Sequence, residues 1–358
     1  LDHNMNRYKF LLSECVFQKA NSYLEALKTG VSITGQYFKN ILNGENISKF
    51  SIDEFIELLI KTKQPQIFAE SAIFGDGRDW NQSELSILGD ISIAVPVTVY
   101  DNGKHYQPKI HLTPFEASLL YVPGALLRND KGNVPTDYEE VTKNGQINFN
   151  GLFDLYERRL LPPFLFANNI AKSNNKKAFI TIPGLGCGQF AGKFRGSLEP
   201  ELKNVLVKFL KKYSASLLNI EAVYYDPYQN GDNERMEIDQ VSFLVRPLVK
   251  GNEQKTQLCM PQYYEEIGDN FSDCELSSIV AWDHVSWPGN DFFAGSRMTD
   301  DGVKAAATNS MAVVTGVEGT YNKTIHQYDP PKGYRNWGEV VRKKQIQLSV
   351  QSNMMVLP

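Results

Sequence analysis

Hydrophobic and polar positions in the first 65 residues follow the period of an α-helix. Apolar side chains recur at intervals of three and four in one stretch, which comprises Phe10, Leu11, Val16, Phe17, Ala20, Tyr23, Leu24 and Leu27. Gly30 stands where such a helix should end. Ser51, with an acidic residue three positions later, has the spacing of a capping-box start. The pattern therefore predicts a helical accessory region over residues 1–65.

From about residue 66 the pattern changes to short apolar runs separated by turn signals. It predicts a strand at 91–100, a short helix at 115–120, a surface loop at 128–150, and a helix at 153–166 that is interrupted at Pro162 and Pro163. Further along the chain it predicts strands at 241–245 and 278–282 and a helix at 302–314.

The clearest unit lies between these segments. A strand at 177–182, a glycine-rich loop, an amphipathic helix at Leu198–Tyr213 and a strand at 220–225 follow one another. Strand, helix and strand in this order predict parallel pairing in a sheet that helices cover. We therefore expect an α/β fold with residues 66–358 as one domain beside the N-terminal helical region.

Composition and charge narrow the function classes. The chain has 358 residues, 42% of them hydrophobic, and a net charge of −4, which lacks the basic excess of a dedicated nucleic-acid binder. No apolar run approaches the about 20 residues needed to span a bilayer. The four cysteines form no C-x-x-C pair and the five histidines no H-E-x-x-H motif, so no metal and no other cofactor are predicted. We expect a soluble protein without nucleic-acid or membrane partners.

The first candidate for chemistry is the loop from Pro183 to Gly192. Four glycines after a strand leave backbone amides free and let a ligand come close, and a following helix start favours phosphates. No Lys-Ser/Thr follows, so the loop is not a Walker A motif. The alternative is a tight strand-to-helix turn. The candidate ligand-binding residues are Gly184, Gly186, Cys187, Gly188, Gln189 and Phe190.

The second candidate is the acidic segment after the strand at 278–282, where four aspartates lie within nineteen residues. Crowded carboxylates are costly unless a ligand, water or metal uses them. Asp300 has an alternative as the N-cap of the next helix, Asp301 as first-turn charge and Asp291 as turn chemistry. Asp283, at the end of an apolar strand, is the hardest to explain without a function. His284 is expected to be a structural hydrogen-bonding residue.

Together the two loops resemble those of macrodomains. Ile279-Val280 and Asp301-Gly302-Val303 stand where that family has its ribose-contacting loop, and Gly184 to Gly192 stands where its diphosphate loop lies. The order of the two loops is reversed, which implies a circularly permuted, three-layer macrodomain-like mixed sheet. Ala281-Trp282-Asp283-His284 replaces the usual Asn-Ala-Ala-Asn. With Asn290-Asp291 and Asp300-Asp301-Gly302, this segment resembles the arginine-specific macrodomain ADP-ribosylhydrolases of bacterial effectors.

The resemblance implies an enzyme that removes ADP-ribose from arginine, with Asp283, Asp291 and Asp301 as functional acids and Trp287 and Asn290 as further ligand contacts. It also implies ADP-ribosylated ubiquitin as substrate, a host ubiquitin-conjugating enzyme as a candidate partner, and secretion into the host cytosol. We expect Asp291 and Asp301 to position ribose hydroxyls and water, and Asp283 to act on the leaving group. The alternatives are an ADP-ribose reader without activity and a Mg²⁺-dependent hydrolase.

Overall fold

The fold was obtained as a computed structural model, and residues 7–358 are described. The strands are, in chain order, β1 Lys9–Ser13, β2 Ser92–Asp101, β3 Ile110–Pro123, β4 Thr142–Lys143, β5 Gln146–Ile147, β6 Lys177–Pro183, β7 Ile220–Asp226, β8 Glu234–Ile238, β9 Val241–Val245, β10 Cys274–Trp282, β11 Thr320–Asn322, β12 Gln327–Asp329 and β13 Met354–Leu357. The α-helices are α1 Glu14–Lys28, α2 Gln36–Leu42, α3 Ile52–Ile60, α4 Ala69–Ala72, α5 Gln82–Gly89, α6 Tyr138–Val141, α7 Phe149–Ser173, α8 Leu198–Tyr213, α9 Asp300–Ala306, α10 Ser310–Thr315 and α11 Trp337–Lys344.

A nine-stranded mixed sheet organises the molecule, in the order β13-β1-β2-β3-β10-β6-β7-β9-β8. The centre is parallel: β10 pairs with β3 on one side and β6 on the other, and β6 pairs with β7. Parallel strands end at the same edge, so the loops that follow β3, β6 and β10 are neighbours. This brings the glycine-rich loop beside the acidic segment, although about ninety residues of chain separate them.

Two apolar cores lie on the two faces of this sheet, and the alternation of side chains along the strands divides them. In β1, Phe10 and Leu12 enter one core and Leu11 enters the other. Helices α1, α3, α5, α9, α10 and α11 contribute to the first core, and α7 and α8 to the second. The predicted three-layer α/β architecture with a mixed sheet is confirmed. The circular permutation remains a prediction.

The start of the chain differs from the expected helix. Lys9–Ser13 is a strand between β13 and β2, and helix α1 begins only at Glu14. Pairing on both sides satisfies the strand's backbone and explains why it overrides the helical spacing of Phe10 and Leu11. The capping box at Ser51 is confirmed, with Glu54 completing it. The division into residues 1–65 and 66–358 remains a prediction.

Three other elements differ from their predictions. Residues 115–120 lie in β3 and not in a helix, because β2 and β10 pair with this strand on its two sides. The predicted loop at 128–150 contains α6 and the hairpin of β4 and β5. The predicted helix at 302–314 is divided into α9 and α10.

Helix α7 is continuous through Pro162 and Pro163, where an interruption was predicted. Pro163 has no amide hydrogen for the carbonyl of Arg159, four residues earlier. The Ser92 hydroxyl donates to that carbonyl instead, at 3.2 Å. The tertiary contact therefore replaces a hydrogen bond that the helix lacks.

Candidate active site

A cleft of about 310 Å³ opens where β3, β6 and β10 end. The glycine-rich loop after β6 contributes Gly184, Gly186 and Gly188 to its wall. The end of β10 and the acidic segment after it contribute the predicted acids together with further residues: Ala281, Trp282, Asp283, Asn290, Asp291, Thr299, Asp300 and Asp301. The structure thus brings the two sequence-predicted loops to one site.

The glycine-rich loop packs against Tyr156 at Gly186 and borders open space at Gly188. Gly186 has φ +72°, and a Cβ there would lie 2.4 Å from the Tyr156 hydroxyl oxygen. That hydroxyl donates to the Leu185 carbonyl at 2.9 Å and accepts from the Ala125 amide at 3.0 Å. At Gly188 a Cβ would meet no atom within 4 Å. Close packing thus requires glycine at position 186, whereas Gly188 leaves room in the cleft.

The backbone of this loop has the donors that an anion needs. The amides of Gly186 and Gly188 donate to no acceptor within residues 7–358. Helix α8 begins at Leu198, as predicted, and a 3₁₀ segment, Gln189–Phe194, separates it from the loop. The loop amides and the guanidinium of Arg195, which lines the cleft, are therefore the anion-binding groups available here, because the N-terminus of α8 does not directly follow the loop. Cys187 is buried, and burial raises the pKa of its thiol well above the ordinary value.

Asp283 ends the β10 strand and is held by two backbone amides. Its carboxylate accepts from the amides of Ala69 at 2.7 Å and Val285 at 2.8 Å. Burial raises the pKa of Asp283, while these hydrogen bonds and Lys63 oppose the change. Burial lowers the pKa of Lys63 to about 7, and its ammonium group lies 4.0 Å from the centre of the Trp282 ring. The two charges stabilise each other beneath the cleft.

Asp301 and Asp291 occupy different positions in the same turn. The two carboxylate oxygens of Asp301 accept from the amides of Gly289 at 2.8 Å and Asn290 at 2.9 Å. Asp291 lines the cleft, is 9% exposed, and its carboxylate has no hydrogen-bond or ion-pair partner among the described residues. Burial raises the pKa of Asp301 well above its usual range. Asp301 therefore holds the turn that presents an unpaired Asp291.

The helix after this turn begins differently from the prediction. Thr299 is the N-cap of α9, and its hydroxyl accepts from the Gly302 amide at 3.1 Å. Asp300, which we expected to be the cap, accepts from the Ala281 amide at 2.9 Å and forms an ion pair with Lys304 at 3.0 Å. Its carboxylate joins the end of β10 to α9, and it lines the cleft as well.

The remaining predicted residues lie at different distances from the cleft. Phe190, Gln189 and Asn290 line it, whereas Trp287 does not, because its indole is buried and donates to the Lys63 carbonyl at 3.1 Å. His284 is fully buried, with Nε2 at 3.0 Å from Asp137. The His284 ring therefore acts within the core, as the sequence predicts.

The sequence did not indicate one wall of the cleft. Residues 64–70, which we call the strap, run over the acidic segment and are fixed to it by hydrogen bonds. Asn290 binds both the amide and the carbonyl of Ile67, at 2.9 and 2.6 Å, and the Ala69 amide binds Asp283. The strap places Phe68 and Glu70 in the cleft. No motif marks them, because the partners are more than two hundred positions away.

A second cavity of about 740 Å³ adjoins the first and shares Gly184, Gly188 and Asp300 with it. Asp226, at the end of β7, lines this cavity and accepts from the amides of Tyr228 and Leu248 at 2.8 and 2.9 Å. The glycine-rich loop therefore lies between two connected spaces, one acidic and one larger. Within residues 7–358, no three His, Cys, Asp or Glu side chains converge as metal ligands would.

The fold and the site define a class of protein. A three-layer α/β fold with a glycine-rich loop beside an acidic loop, at the ends of adjacent parallel strands, is typical of a macrodomain. Residues 8–334 match the family described as macrodomain effector MavL, and the chain belongs to this family. Macrodomains bind or hydrolyse ADP-ribose. No curated protein matches the chain. No helix in residues 7–358 has both the length and the apolar character needed to cross a bilayer.

Proposed function

We propose that the protein is an ADP-ribosylhydrolase that removes ADP-ribose from modified arginine on a protein. The observation that carries the proposal is Asp291: its carboxylate has no protein partner among the described residues and lies in the wall of a cleft that free loop amides border. A carboxylate that no protein group engages can accept hydrogen bonds from a ligand or a water in the cleft. Ubiquitin is the modified protein that the family resemblance suggests, a host ubiquitin-conjugating enzyme is a candidate partner, and the host cytosol is the proposed place of action.

The two cavities support one orientation of ADP-ribose. The diphosphate would lie on the amides of Gly186 and Gly188, which can donate to an anion. The adenosine would occupy the larger cavity beside Asp226, and the distal ribose the acidic cleft. The reverse orientation would place the adenosine in the acidic cleft and the distal ribose away from Asp291, so that the carboxylates could not act on the anomeric carbon.

The reaction breaks the bond between the anomeric carbon and the guanidine nitrogen, and the electron pair leaves with the nitrogen. Positive charge then develops on the ribose, and a water oxygen bonds to the anomeric carbon. Carboxylates stabilise such an oxocarbenium-like charge. Asp291 would accept the proton that this water loses, and the departing guanidine would gain one. Asp301 would hold the turn and the ribose hydroxyls, and Asp283 would lie on the leaving-group side.

Charge is the reason for choosing arginine as the linkage. A guanidinium is cationic and forms charge-assisted hydrogen bonds with carboxylates. The cleft supplies Asp283, Asp291 and Asp301 as carboxylates, whereas the Trp282 ring is 2% exposed and already contacts the Lys63 ammonium group. An ester to Glu or Asp would leave as a carboxylate, which these acids would repel.

The test is a side-by-side release assay on proteins modified at arginine, glutamate and serine, with the Asp291→Asn variant in parallel. We expect release of ADP-ribose from arginine only, retained activity with a chelator present, and loss of activity in the variant. Equal rates on all three linkages would contradict the charge argument. Binding of ADP-ribose without release from any linkage would identify a reader, and inactivation by the chelator a metal-dependent hydrolase.

A further inference from the structure

Glu70 is a second buried carboxylate in the cleft without a partner. The residue is 8% exposed and lines the same cleft as the aspartates. Its carboxylate accepts no hydrogen bond and forms no ion pair with another residue in the described part of the chain. An ionised group buried in this way is unfavourable unless a cation reaches it.

The backbone around Glu70 is fixed in place. The preceding amide, of Ala69, donates to Asp283, and the Glu70 carbonyl accepts from the Asp130 amide at 2.8 Å. Asn290 holds Ile67 from the opposite side. The position of Glu70 in the wall is therefore determined by the same residues that form the acidic segment.

The nearby cation does not neutralise Glu70. Arg128 is engaged by Asp130 at 2.6 Å and by Gln189 at 2.5 Å. Burial, with Asp283 and Asp130 adding repulsion, raises the pKa of Glu70 to about 7, against the opposing effects of its own amide and Arg128. When no cation is bound to it, the carboxyl of Glu70 is therefore partly protonated at neutral pH.

We propose that Glu70 binds the guanidinium of the substrate arginine, so that the cleft contains a dedicated guanidinium subsite beside the ribose site. A guanidinium offers planar, paired donors that fit a carboxylate, and it supplies the charge that Glu70 lacks. Phe68 and Phe190 also line the cleft and offer apolar faces. The proposal rests on the proposed arginine linkage and names a residue that selects it.

A pH signature follows from this subsite. A guanidinium binds the ionised carboxylate, so kcat/KM for an arginine-linked substrate should rise as pH increases through about 7. Asp283, Arg128 and Asp130 face Glu70, and Lys63 beneath Asp283 also has a pKa of about 7. The Glu70→Gln variant distinguishes the titration of Glu70 from that of Lys63. If Glu70 causes the rise of kcat/KM with pH, this rise disappears in the variant.

The experiment compares wild type, Glu70→Gln, Glu70→Asp and the matched control Glu139→Gln, which makes the same change at an exposed position. Two quantities are measured: kinetics on an arginine-modified protein, and binding of methylguanidinium to the enzyme–ADP-ribose complex. Glu70→Gln should raise KM and lower kcat/KM by about 10- to 100-fold. It should also abolish methylguanidinium binding, with the Kd for free ADP-ribose unchanged. Glu70→Asp keeps the charge and should keep measurable methylguanidinium binding.

The outcomes separate this proposal from the proposed function. If wild type releases no ADP-ribose from arginine, the proposed function fails. The subsite is then still tested by methylguanidinium, which should bind to wild type and not to Glu70→Gln. If wild type is active and Glu70→Gln matches it in both measurements, the subsite is overturned while the function stands. The subsite would also be overturned if Glu70→Gln lost affinity for free ADP-ribose as well as for methylguanidinium, or if Glu139→Gln showed the same losses as Glu70→Gln.

Discussion

Separate replacement of Asp301 and Asp291 by asparagine should distinguish a carboxylate that organises the site from one that acts in it. Asp301 uses both oxygens, one on the Gly289 amide at 2.8 Å and one on the Asn290 amide at 2.9 Å. Asparagine keeps one acceptor and turns an NH₂ group toward the second amide. Asp291 has no protein partner among the described residues, so asparagine there removes no intramolecular hydrogen bond.

The hydrogen bonds that each substitution removes indicate how much the free energy of unfolding should change. Leaving one buried amide without an acceptor costs about 1–3 kcal/mol. Some of this is offset in Asp301→Asn, because burial already disfavours the charged form of Asp301 and asparagine is neutral. We expect the free energy of unfolding to fall by about 1–2 kcal/mol. In Asp291→Asn it should change by less than about 0.5 kcal/mol, because no protein contact is lost.

Activity should follow a different order from stability. Loss of a group that accepts a proton in the reaction typically costs about 10²- to 10⁴-fold in rate. Asp291→Asn should therefore be folded, stable and inactive, whereas Asp301→Asn should lose stability and activity together. Denaturant unfolding and a release assay on arginine-modified protein measure the two quantities. The reasoning is refuted if Asp291→Asn is as destabilised as Asp301→Asn, or if it keeps wild-type turnover.

Three further predictions follow from particular contacts. Gly188→Val should lower the melting temperature, because φ −88° and ψ −122° at this position lie outside the regions that residues with a side chain favour. It should also abolish the rise of the melting temperature with ADP-ribose, because the side chain enters the open cleft; an unchanged rise in thermal-shift measurements would exclude the diphosphate site. Asp300→Ala should lower the free energy of unfolding by about 2 kcal/mol in denaturant titrations, because it breaks an ion pair to buried Lys304. Thr299→Ala should lower it by about 1 kcal/mol, because the helix loses its N-cap; the opposite order would identify Asp300 as the cap. Glu70→Gln should be as stable as wild type at pH 4.5 and more stable by about 1–3 kcal/mol at pH 8, because a carboxyl whose pKa is about 7 in the folded protein and lower in the unfolded chain ionises at a cost to the folded state. Equal stability of the two proteins in thermal melts at both pH values would contradict the unpaired carboxylate.

Local patterns were sufficient for the central part of the fold. The strand at β6, helix α8 and the strand at β7 were each predicted from neighbouring residues, because their apolar runs and periodicity carry the signal. The glycine-rich loop and the acidic segment were also visible as patterns. Their residue types restrict the chemistry, since free amides suit an anion and crowded carboxylates suit a cationic ligand or transition state.

Local patterns failed where distant groups satisfy the backbone. The strand at Lys9–Ser13 is stabilised by pairing with β2 and β13, and helix α7 passes its prolines because Ser92 supplies a donor. The capping of α9 depended on which of two adjacent residues reaches the Gly302 amide. Thr299 is the cap because the Asp300 carboxylate is already bound to the Ala281 amide and the Lys304 ammonium group.

The sequence by itself determined the types of residue in the two loops and the parallel unit that carries one of them. Only the tertiary structure decided which carboxylates are free. Asp301, Asp283 and Asp291 look alike in the sequence, but backbone amides engage the first two and leave Asp291 unpaired. It also decided that the strap brings Glu70 into the cleft. The physical reason is that hydrogen bonds and burial depend on distance in space, and residues 64–70 meet residues 283–290 only after the sheet has formed.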